Sequence, residues 1–140
     1  MEPENLTGKV ILITGAARRV GATIARRLHA GGAELALHYR SARAEAEALA
    51  AELNGRRAGS VVLFAADLQQ TEACGALPGL VVARFGRLDG LVNNASSFFA
   101  TPVGSIDDAA WTDLVGSNFK APLFLAQAAA PHLRATEGAI

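Results

Sequence analysis

The sequence predicts an α/β protein with a doubly wound parallel sheet that is covered by helices on both faces. Three observations lead to this fold class. Short apolar segments rich in β-branched residues and leucine alternate with segments of helical periodicity. A strand–helix–strand order of this kind requires parallel strands joined by right-handed crossovers. Each apolar segment is followed by glycine or by a basic, acidic or amide residue. Open parallel sheets bind their ligands at this edge, beyond the carboxyl ends of the strands.

The first two strands and helices occupy the N-terminal part of the chain. Lys9–Thr14 is a run of β-branched residues and leucine between glycines and predicts the first strand. Gly21–Ala30 predicts the first helix, with apolar residues on one face and a glycine pair at its end. Glu34–Tyr39 predicts the second strand. Arg43–Leu53 is rich in Ala, Glu and Leu and predicts a second helix, which Asn54-Gly55 ends.

The third and fourth strands are expected at Ser60–Ala65 and Leu88–Asn93. Between them, Thr71–Arg84 has the pattern of a helix, although Gly75 and Pro78 disfavour helical backbone. The sheet is therefore expected to contain four strands up to this point of the chain.

The C-terminal third predicts one long helix over Asp107–Leu133, capped by Ser105 or Asp107 and bent at Pro122. Gly138–Ile140 has the pattern of the first residues of a fifth strand. We expect one domain over residues 1–140, with its sheet truncated at the start of that strand. Because a sheet that ended there would expose an apolar edge, we expect these residues to be part of a longer gene product.

Composition and charge limit the function classes. Hydrophobic residues make up 51% of the 140 residues and charged residues 19%, which is typical of one globular domain with a sizeable core. The formal net charge is +0, so no charge excess indicates binding to nucleic acid or to an anionic membrane. No apolar stretch approaches the ~18 residues of a membrane span. Cys74 and the scattered histidines lack metal-ligand spacing, so no metal is expected, and the polar N-terminus predicts a cytoplasmic protein.

The segment between the first strand and the first helix has the features of a phosphate-binding turn. Gly15 permits a sharp exit from the strand, and Gly21 lets the helix begin close to the sheet, so that the helix N-terminus offers free N–H groups to a pyrophosphate. The spacing differs from GxGxxG, and the alternative is an ordinary turn in which the glycines only relieve strain. The residues expected to bind a dinucleotide here are Thr14, Gly15, Arg18, Arg19, Val20 and Gly21.

The end of the second strand indicates NADPH rather than NADH. NAD-selective sites carry Asp or Glu roughly 20 residues after the glycines, where it binds the ribose 2′-hydroxyl. Here the sequence reads Tyr39-Arg40-Ser41, without an acid, and a guanidinium binds a 2′-phosphate through two parallel hydrogen bonds. Arg18 is expected to approach the same phosphate. The alternative is that Arg40 only opens a solvated helix together with Arg43.

The end of the third strand supplies an acid. Asp67 is expected to accept a hydrogen bond from the adenine amino group, and Leu68 to cover the ring. The alternative for Asp67 is that it caps the helix that follows.

Four motifs at successive strand ends resemble the short-chain dehydrogenase/reductase family: TGAARRVG, the basic end of the second strand, ADL and NNA. They follow the family's order and cover the chain from Lys9 to about Arg134. The resemblance implies a Rossmann-like fold in which Asn94 and Ala95 hold the central strands and line the cofactor cleft. It also implies that Asn118, the one catalytic residue expected here, contributes to a proton relay through ordered water.

Within that family, the details are similar to pteridine reductases and the related dihydromonapterin and dihydrofolate reductases. Most members carry glycine where this chain has Arg19, whereas pteridine reductases carry arginine, and NNASSF recurs in their fourth-strand loop. The resemblance implies that Phe98 stacks on the pterin ring and that Ser96 hydrogen-bonds pterin and cofactor. It places Arg19 near the pyrophosphate and the pterin. Since two adjacent aromatic residues cannot both face one ligand, Phe99 is expected to pack on the domain.

One element of the family's chemistry is missing from these residues. Short-chain reductases deliver the proton with the tyrosine of a Tyr-x3-Lys pair. The only tyrosine here, Tyr39, lies at the wrong strand end and has no lysine four residues later. We therefore expect the 140 residues to be inactive alone.

The expected function of the full-length protein is NADPH-dependent reduction of a pterin or dihydrofolate C=N bond. The family resemblance further implies a homotetramer that uses Asp107–Leu133 in its interface. Two alternatives remain open: a carbonyl reductase of the 3-oxoacyl type with the same cofactor, and a non-catalytic NADP(H)-binding or scaffold domain. An assay of the full-length protein that compares turnover of a pterin with turnover of a ketoester separates the two enzyme functions. A Tyr-x3-Lys pair encoded downstream of Ile140 would count against the non-catalytic domain.

Overall fold

Four parallel strands form the central sheet, in the order β3-β2-β1-β4. They are β1 (Val10–Ile13), β2 (Glu34–Tyr39), β3 (Val61–Ala65) and β4 (Gly90–Val92). The structure is a computed structural model that describes residues 5–140. The chain builds the sheet outward from β1 to β3 and then returns to the other side of β1, so the strand order switches between β1 and β4. The predicted doubly wound α/β fold is confirmed.

Helices cover both faces of this sheet. They are α1 (Arg19–Ala30), α2 (Arg43–Arg56), α3 (Thr71–Phe85), α4 (Asp108–Val115) and α5 (Ala121–Thr136). Successive residues of β1 point to opposite faces, so Leu12 joins the core under α3 and α5, while Ile13 joins the core under α1 and α2. Both side chains are fully buried. Among the helices of residues 5–140, none has the length and apolar character that a bilayer crossing requires.

The predicted strands are all present, with ends that differ by at most two residues from those predicted. The predicted end of α2 at Leu53 is wrong, because the helix continues through Asn54-Gly55 to Arg56. The Asn54 side chain does not end the helix. Instead its amide nitrogen donates to Val61 O and its oxygen accepts from Val61 N, both at 3.0 Å. This side chain therefore fastens α2 to the first residue of β3.

The long helix predicted over Asp107–Leu133 is interrupted. α4 ends at Val115, and a π-helical turn, Gly116–Lys120, separates it from α5. The Ala121 N–H donates to Gly116 O, five residues back, just before Pro122, which has no N–H to donate. Of the two predicted caps, Asp107 is the one used, since its carboxylate accepts from the Ala110 N–H at 2.8 Å.

The last residues lie beside β4, on the side away from β1. Ala139 forms a parallel bridge with Gly90. The Leu91 N–H donates to Ala139 O at 3.0 Å, and the Ala139 N–H donates to Asp89 O at 3.1 Å. The segment predicted to begin a fifth strand therefore pairs with the edge strand β4 through a single bridge.

Candidate functional site

A cleft of about 540 Å³ opens at the carboxyl edge of the sheet, over the switch in strand order. Segments that follow each of the four strands line it, together with Ser117 of the π-helical turn. Most of the residues predicted from the sequence to form a site lie in its wall: Gly15, Arg18, Arg19, Val20, Gly21, Tyr39, Arg40, Ser41, Asp67, Leu68, Asn94, Ala95 and Ser96.

Three of the predicted residues lie outside this wall. Thr14 is buried behind the turn. Phe98 follows two residues after the cleft-lining Ser96 and leaves 93% of its surface exposed. Asn118 belongs to the π-helical turn and hydrogen-bonds the backbone of Ser97: its amide nitrogen donates to Ser97 O at 2.8 Å, and its oxygen accepts from Ser97 N at 3.3 Å.

Thr14 and Asn94 join the ends of β1 and β4. The Thr14 hydroxyl accepts from the N–H groups of Asn94 and Ala95, each at 3.0 Å, and it donates to Val92 O at 3.3 Å. The Asn94 amide nitrogen donates to Thr14 O and Gly15 O, both at 3.0 Å. These bonds fix the turn after β1 against the loop after β4, so the two walls of the cleft are held at a set separation.

The two glycines of the turn leave no room for side chains. Gly15 has a φ of +59°, and a Cβ there would lie 2.9 Å from Ala95 Cα. A Cβ at Gly21 would overlap Gly15 O and lie 2.7 Å from Asn94 Nδ2. Gly21 lies in the first turn of α1, which begins at Arg19 and has no side-chain cap on its first N–H groups and no acid in that turn. The turn therefore presents free backbone donors and a partial positive charge to the cleft.

Two arginines flank these donors. Arg18 precedes α1 and pairs with Glu45 of α2 at 3.7 Å, with both side chains well exposed. Arg19 is the first residue of α1 and has a φ of +50°, the left-handed region that non-glycine residues disfavour. The helix was predicted to begin at Gly21 and instead begins at this residue.

His38 is a site residue to which sequence reasoning assigned no role in the site. It is 3% exposed near the end of β2. Its Nδ1 accepts from the Gly15 N–H at 3.1 Å, and its Nε2 lies 2.9 Å from Ala66 O. Burial lowers the pKa of His38, opposed by the bond to Ala66 O and by the nearby carboxylate of Asp67. A polar residue on an inward-facing position of an otherwise apolar strand was the available signal.

Asp67 and Leu68 differ in exposure. The Asp67 side chain is exposed and accepts from the Gln69 N–H at 3.1 Å. It does not cap α3, because that helix is preceded by Gln70 and has no side-chain cap. The capping alternative for Asp67 is therefore wrong, and Asp67 lines the cleft. Leu68 also lines the cleft but is 7% exposed, since it packs into the core under α3 and α5.

Residues 5–140 contain no candidate metal site. That part of the chain contains no group of three or more His, Cys, Asp or Glu side chains arranged to hold an ion. Cys74 is buried, and its thiol donates to Leu68 O at 3.1 Å.

Comparison with known proteins gives a family match over nearly the whole chain. The family model described as short chain dehydrogenase matches residues 9–140. A solved structure of a metagenomic short-chain oxidoreductase in complex with NADP superimposes with a TM-score of 0.89 at 36% sequence identity. That alignment covers 97% of this chain and 61% of the other.

Two curated relatives have different substrates in their names. Pteridine reductase 1 of Leishmania tarentolae is 39% identical over an alignment of 161 residues, covering 93% of this chain and 56% of that protein. 11-beta-hydroxysteroid dehydrogenase A of Sesamum indicum is 33% identical over 138 residues, covering 98% of this chain and 39% of that protein. The chain thus spans about half, or less, of the length of these relatives.

Proposed function

Since the chain belongs to the short-chain dehydrogenase family, we propose that its cleft binds NADPH and that the full-length protein reduces a pterin or a dihydrofolate. The observation that carries the proposal is the pair of arginines at the glycine turn, of which Arg19 is held in a backbone conformation unfavourable to it. The relative named Pteridine reductase 1 supports the substrate class.

The residues of the turn fit a dinucleotide. Gly15 and Gly21 let the backbone approach a pyrophosphate, because neither position accommodates even a methyl group. The uncapped N–H groups at the start of α1 have no protein acceptor at the helix end, and a phosphate oxygen is their natural partner. The exposed carboxylate of Asp67 in the opposite wall suits an adenine amino group.

A 2′-phosphate suits the end of β2 better than a 2′-hydroxyl. Arg40 and Ser41 line the cleft there, and Arg18 reaches the same region through its pair with Glu45. The Arg18–Glu45 pair is exposed and contributes little to stability, roughly 0–1 kcal/mol. A doubly charged phosphate therefore competes readily with Glu45 for the guanidinium.

The substrate proposal rests on Arg19. A left-handed conformation costs a non-glycine residue roughly 1–2 kcal/mol, so an arginine held in it indicates a use for its side chain. We propose that Arg19 contacts both the pyrophosphate and the pterin. Phe98 offers an exposed aromatic face in the neighbouring loop, and we propose that it stacks on the flat heterocycle.

The chemistry divides between the cofactor and the chain. When bound, the nicotinamide supplies a hydride for the carbon of a C=N bond. Arg19, Ser96 and Phe98 would orient the acceptor ring, and the bonds between Asn94 and the turn at Thr14 and Gly15 hold the two walls of the cleft that would receive ring and cofactor. We propose that Asn118 takes part in delivering the proton to the ring nitrogen through ordered water. Its bonds to Ser97 fix its amide beside the cleft.

Titration calorimetry with NADPH and NADH on this chain tests the cofactor. We expect at least tenfold tighter binding of NADPH, and loss of most of that preference in the double variant Arg18→Ala, Arg40→Ala, because two charge-assisted contacts disappear. Arg27→Ala is the matched control, since Arg27 is an exposed arginine of α1 outside the cleft wall. Equal affinities for the two cofactors would refute the NADPH assignment.

The substrate is tested in the full-length protein by NADPH consumption with a dihydropterin or with a 3-oxoacyl ester. We expect turnover of the dihydropterin, and an Arg19→Gly variant that loses this turnover even at NADPH concentrations that compensate for its weaker binding of the pyrophosphate. Turnover of the ester alone would refute the pterin assignment and support the second candidate.

That second candidate is a carbonyl reductase that uses the same cleft. The similarity to a hydroxysteroid dehydrogenase, whose name indicates an alcohol or ketone substrate, favours it. Arg19 and the exposed Phe98 count against it, because a ketone needs neither a cation nor a stacking face at these positions.

We also propose that the full-length protein self-associates through the α4–α5 segment. Trp111, Phe119 and Leu123 expose 64%, 68% and 54% of their surface there, whereas large apolar residues usually lie inside. Sedimentation of the full-length protein tests this, and a monomer at micromolar concentration would refute it.

A further inference from the structure

We propose that His38 is a positioning residue for the cofactor: its neutral, Nε2-protonated imidazole sets the distance between the glycine turn and the loop after β3. This inference rests on the proposed binding of NADPH. The His38 side chain is buried, so the turn and the loop that it joins would make most of the contact with the cofactor.

One imidazole spans two walls of the cleft. β2 lies between β1 and β3 in the sheet, so a side chain near its end can reach the segments that follow both neighbours. The His38 ring does so: Nδ1 accepts from the Gly15 N–H at 3.1 Å, and Nε2 lies 2.9 Å from Ala66 O. The His38 backbone adds a third link, since its carbonyl accepts from the Ala16 N–H at 2.9 Å.

These two partners determine the protonation state of the ring. Ala66 O can only accept, so Nε2 must carry the proton, and the Gly15 N–H can only donate, so Nδ1 must be bare. The neutral Nε2–H tautomer is the one form that satisfies both partners. A proton on Nδ1 would point at the Gly15 N–H and leave a buried donor without an acceptor.

The two partners belong to the segments that are proposed to hold opposite parts of the cofactor. Gly15 opens the turn proposed for the pyrophosphate, and Ala66 directly precedes Asp67, proposed for the adenine. Moving either segment changes the distance between the proposed pyrophosphate site and the proposed adenine site. Loss of one ring contact is therefore expected to weaken binding by about tenfold, although His38 itself gives little surface to the ligand.

Few charged groups lie around the ring. Asp67, from the segment after β3, opposes the effect of burial on the pKa of His38. From the turn after β1, the ring meets the backbone of Gly15 rather than a side chain. The next residues along the chain are Tyr39, which ends β2, and Arg40, which follows it. Because burial lowers the pKa, the ring stays neutral near pH 7 and becomes charged only in acid.

The test compares three proteins by titration calorimetry with NADPH between pH 5 and 8. His38→Asn retains an acceptor in place of Nδ1, and His38→Gln retains a donor in place of Nε2; neither side chain titrates. The wild type is expected to lose about tenfold in affinity as its ring becomes protonated. The NADPH 2′-phosphate itself titrates near pH 6, so the wild-type profile is divided by that of His38→Asn, in which the phosphate and the other side chains titrate but residue 38 does not.

The expected outcome is a wild-type to Asn ratio that changes with pH, and a Gln variant that binds NADPH about tenfold more weakly than the wild type at pH 8, where the wild-type ring is neutral. A constant ratio would overturn the inference and leave the proposed function intact. No binding of NADPH by any of the three proteins would refute the proposed function instead.

A measurement on the wild type covers the case in which a variant does not fold. Nitrogen NMR shifts of His38 report its tautomer directly, and the Nε2–H form is expected without any ligand. By linkage, saturating NADPH must lower the pKa of His38, by about one unit for a tenfold preference. The Nδ1–H tautomer, or a pKa that NADPH leaves unchanged, would overturn the inference.

Discussion

The contact between the first turn of α1 and the glycine turn before it gives the sharpest test of the structure, through the substitution Gly21→Ala. The added methyl group would overlap Gly15 O and lie 2.7 Å from Asn94 Nδ2 and 2.9 Å from Ala16 Cα. Rotating a side chain cannot relieve this, because two of the three neighbours are backbone atoms of a turn that Asn94 itself holds. Overpacking of this kind costs about 1–3 kcal/mol, and these distances place the cost toward the upper end.

Gly75→Ala is the matched control. Gly75 lies in the interior of α3, is exposed, and has no atom within 4 Å of where its Cβ would be. Alanine favours the helix over glycine by about 0.5–1 kcal/mol at both sites, so this contribution cancels in the comparison. The free energy of unfolding is then expected to be about 1–3 kcal/mol lower for the Gly21 variant than for the Gly75 variant.

Urea unfolding followed by circular dichroism measures this difference, provided that the slopes with denaturant agree. NADPH affinity is expected to fall in the Gly21 variant alone, since displacing Asn94 opens the turn. Equal unfolding midpoints for the two variants would show that the turn is not packed as described, and the phosphate-binding role would fall with it.

Three further predictions concern charge and strain. Arg19→Gly is expected to raise the free energy of unfolding by up to about 1 kcal/mol, because glycine accepts a φ of +50° without strain. Thermal melting measures this change, and a lower melting temperature in the variant would contradict the prediction. Glu45→Gln removes the ion pair of Arg18 and is expected to tighten NADPH binding by up to about fivefold, as measured by calorimetry. Unchanged affinity would mean that the Glu45 carboxylate does not compete with the 2′-phosphate for Arg18. Burial lowers the pKa values of both His29 and His38 below the unfolded value of about 6.5, so below that pH the unfolded chain binds more protons. The free energy of unfolding should therefore fall between pH 7 and 5.5, and a rise over this range would contradict the buried neutral state.

Local pattern was sufficient for the fold and for most of the cleft. Alternation of strands and helices determined the sheet, and parallel strands bring their carboxyl ends to one edge, so Arg18, Arg40, Asp67 and Asn94 could be placed together from the sequence alone. Their position needed no knowledge of side-chain contacts, because the topology supplies it.

What sequence reasoning missed depends on partners far along the chain. The side chain of Asn54 bonds Val61 rather than ending its helix, and the two contacts of His38 are 23 and 28 residues away. The π-helical turn replaces the predicted bend near Pro122, and local propensity does not distinguish one from the other.

The hydroxyl of Thr14 takes its amide partners from residues 80 and 81 positions downstream. During synthesis, the glycine turn therefore leaves the ribosome long before the atoms that close it exist. We expect nascent chains stalled before Asn94 to be unable to retain nucleotide, and chains stalled well beyond Ala95 to acquire that ability in one step. Stalled chains of increasing length can be released and passed over an immobilised nucleotide. Retention that begins only at lengths beyond Ala95 would show that the cleft forms after the loop that follows β4 has been made.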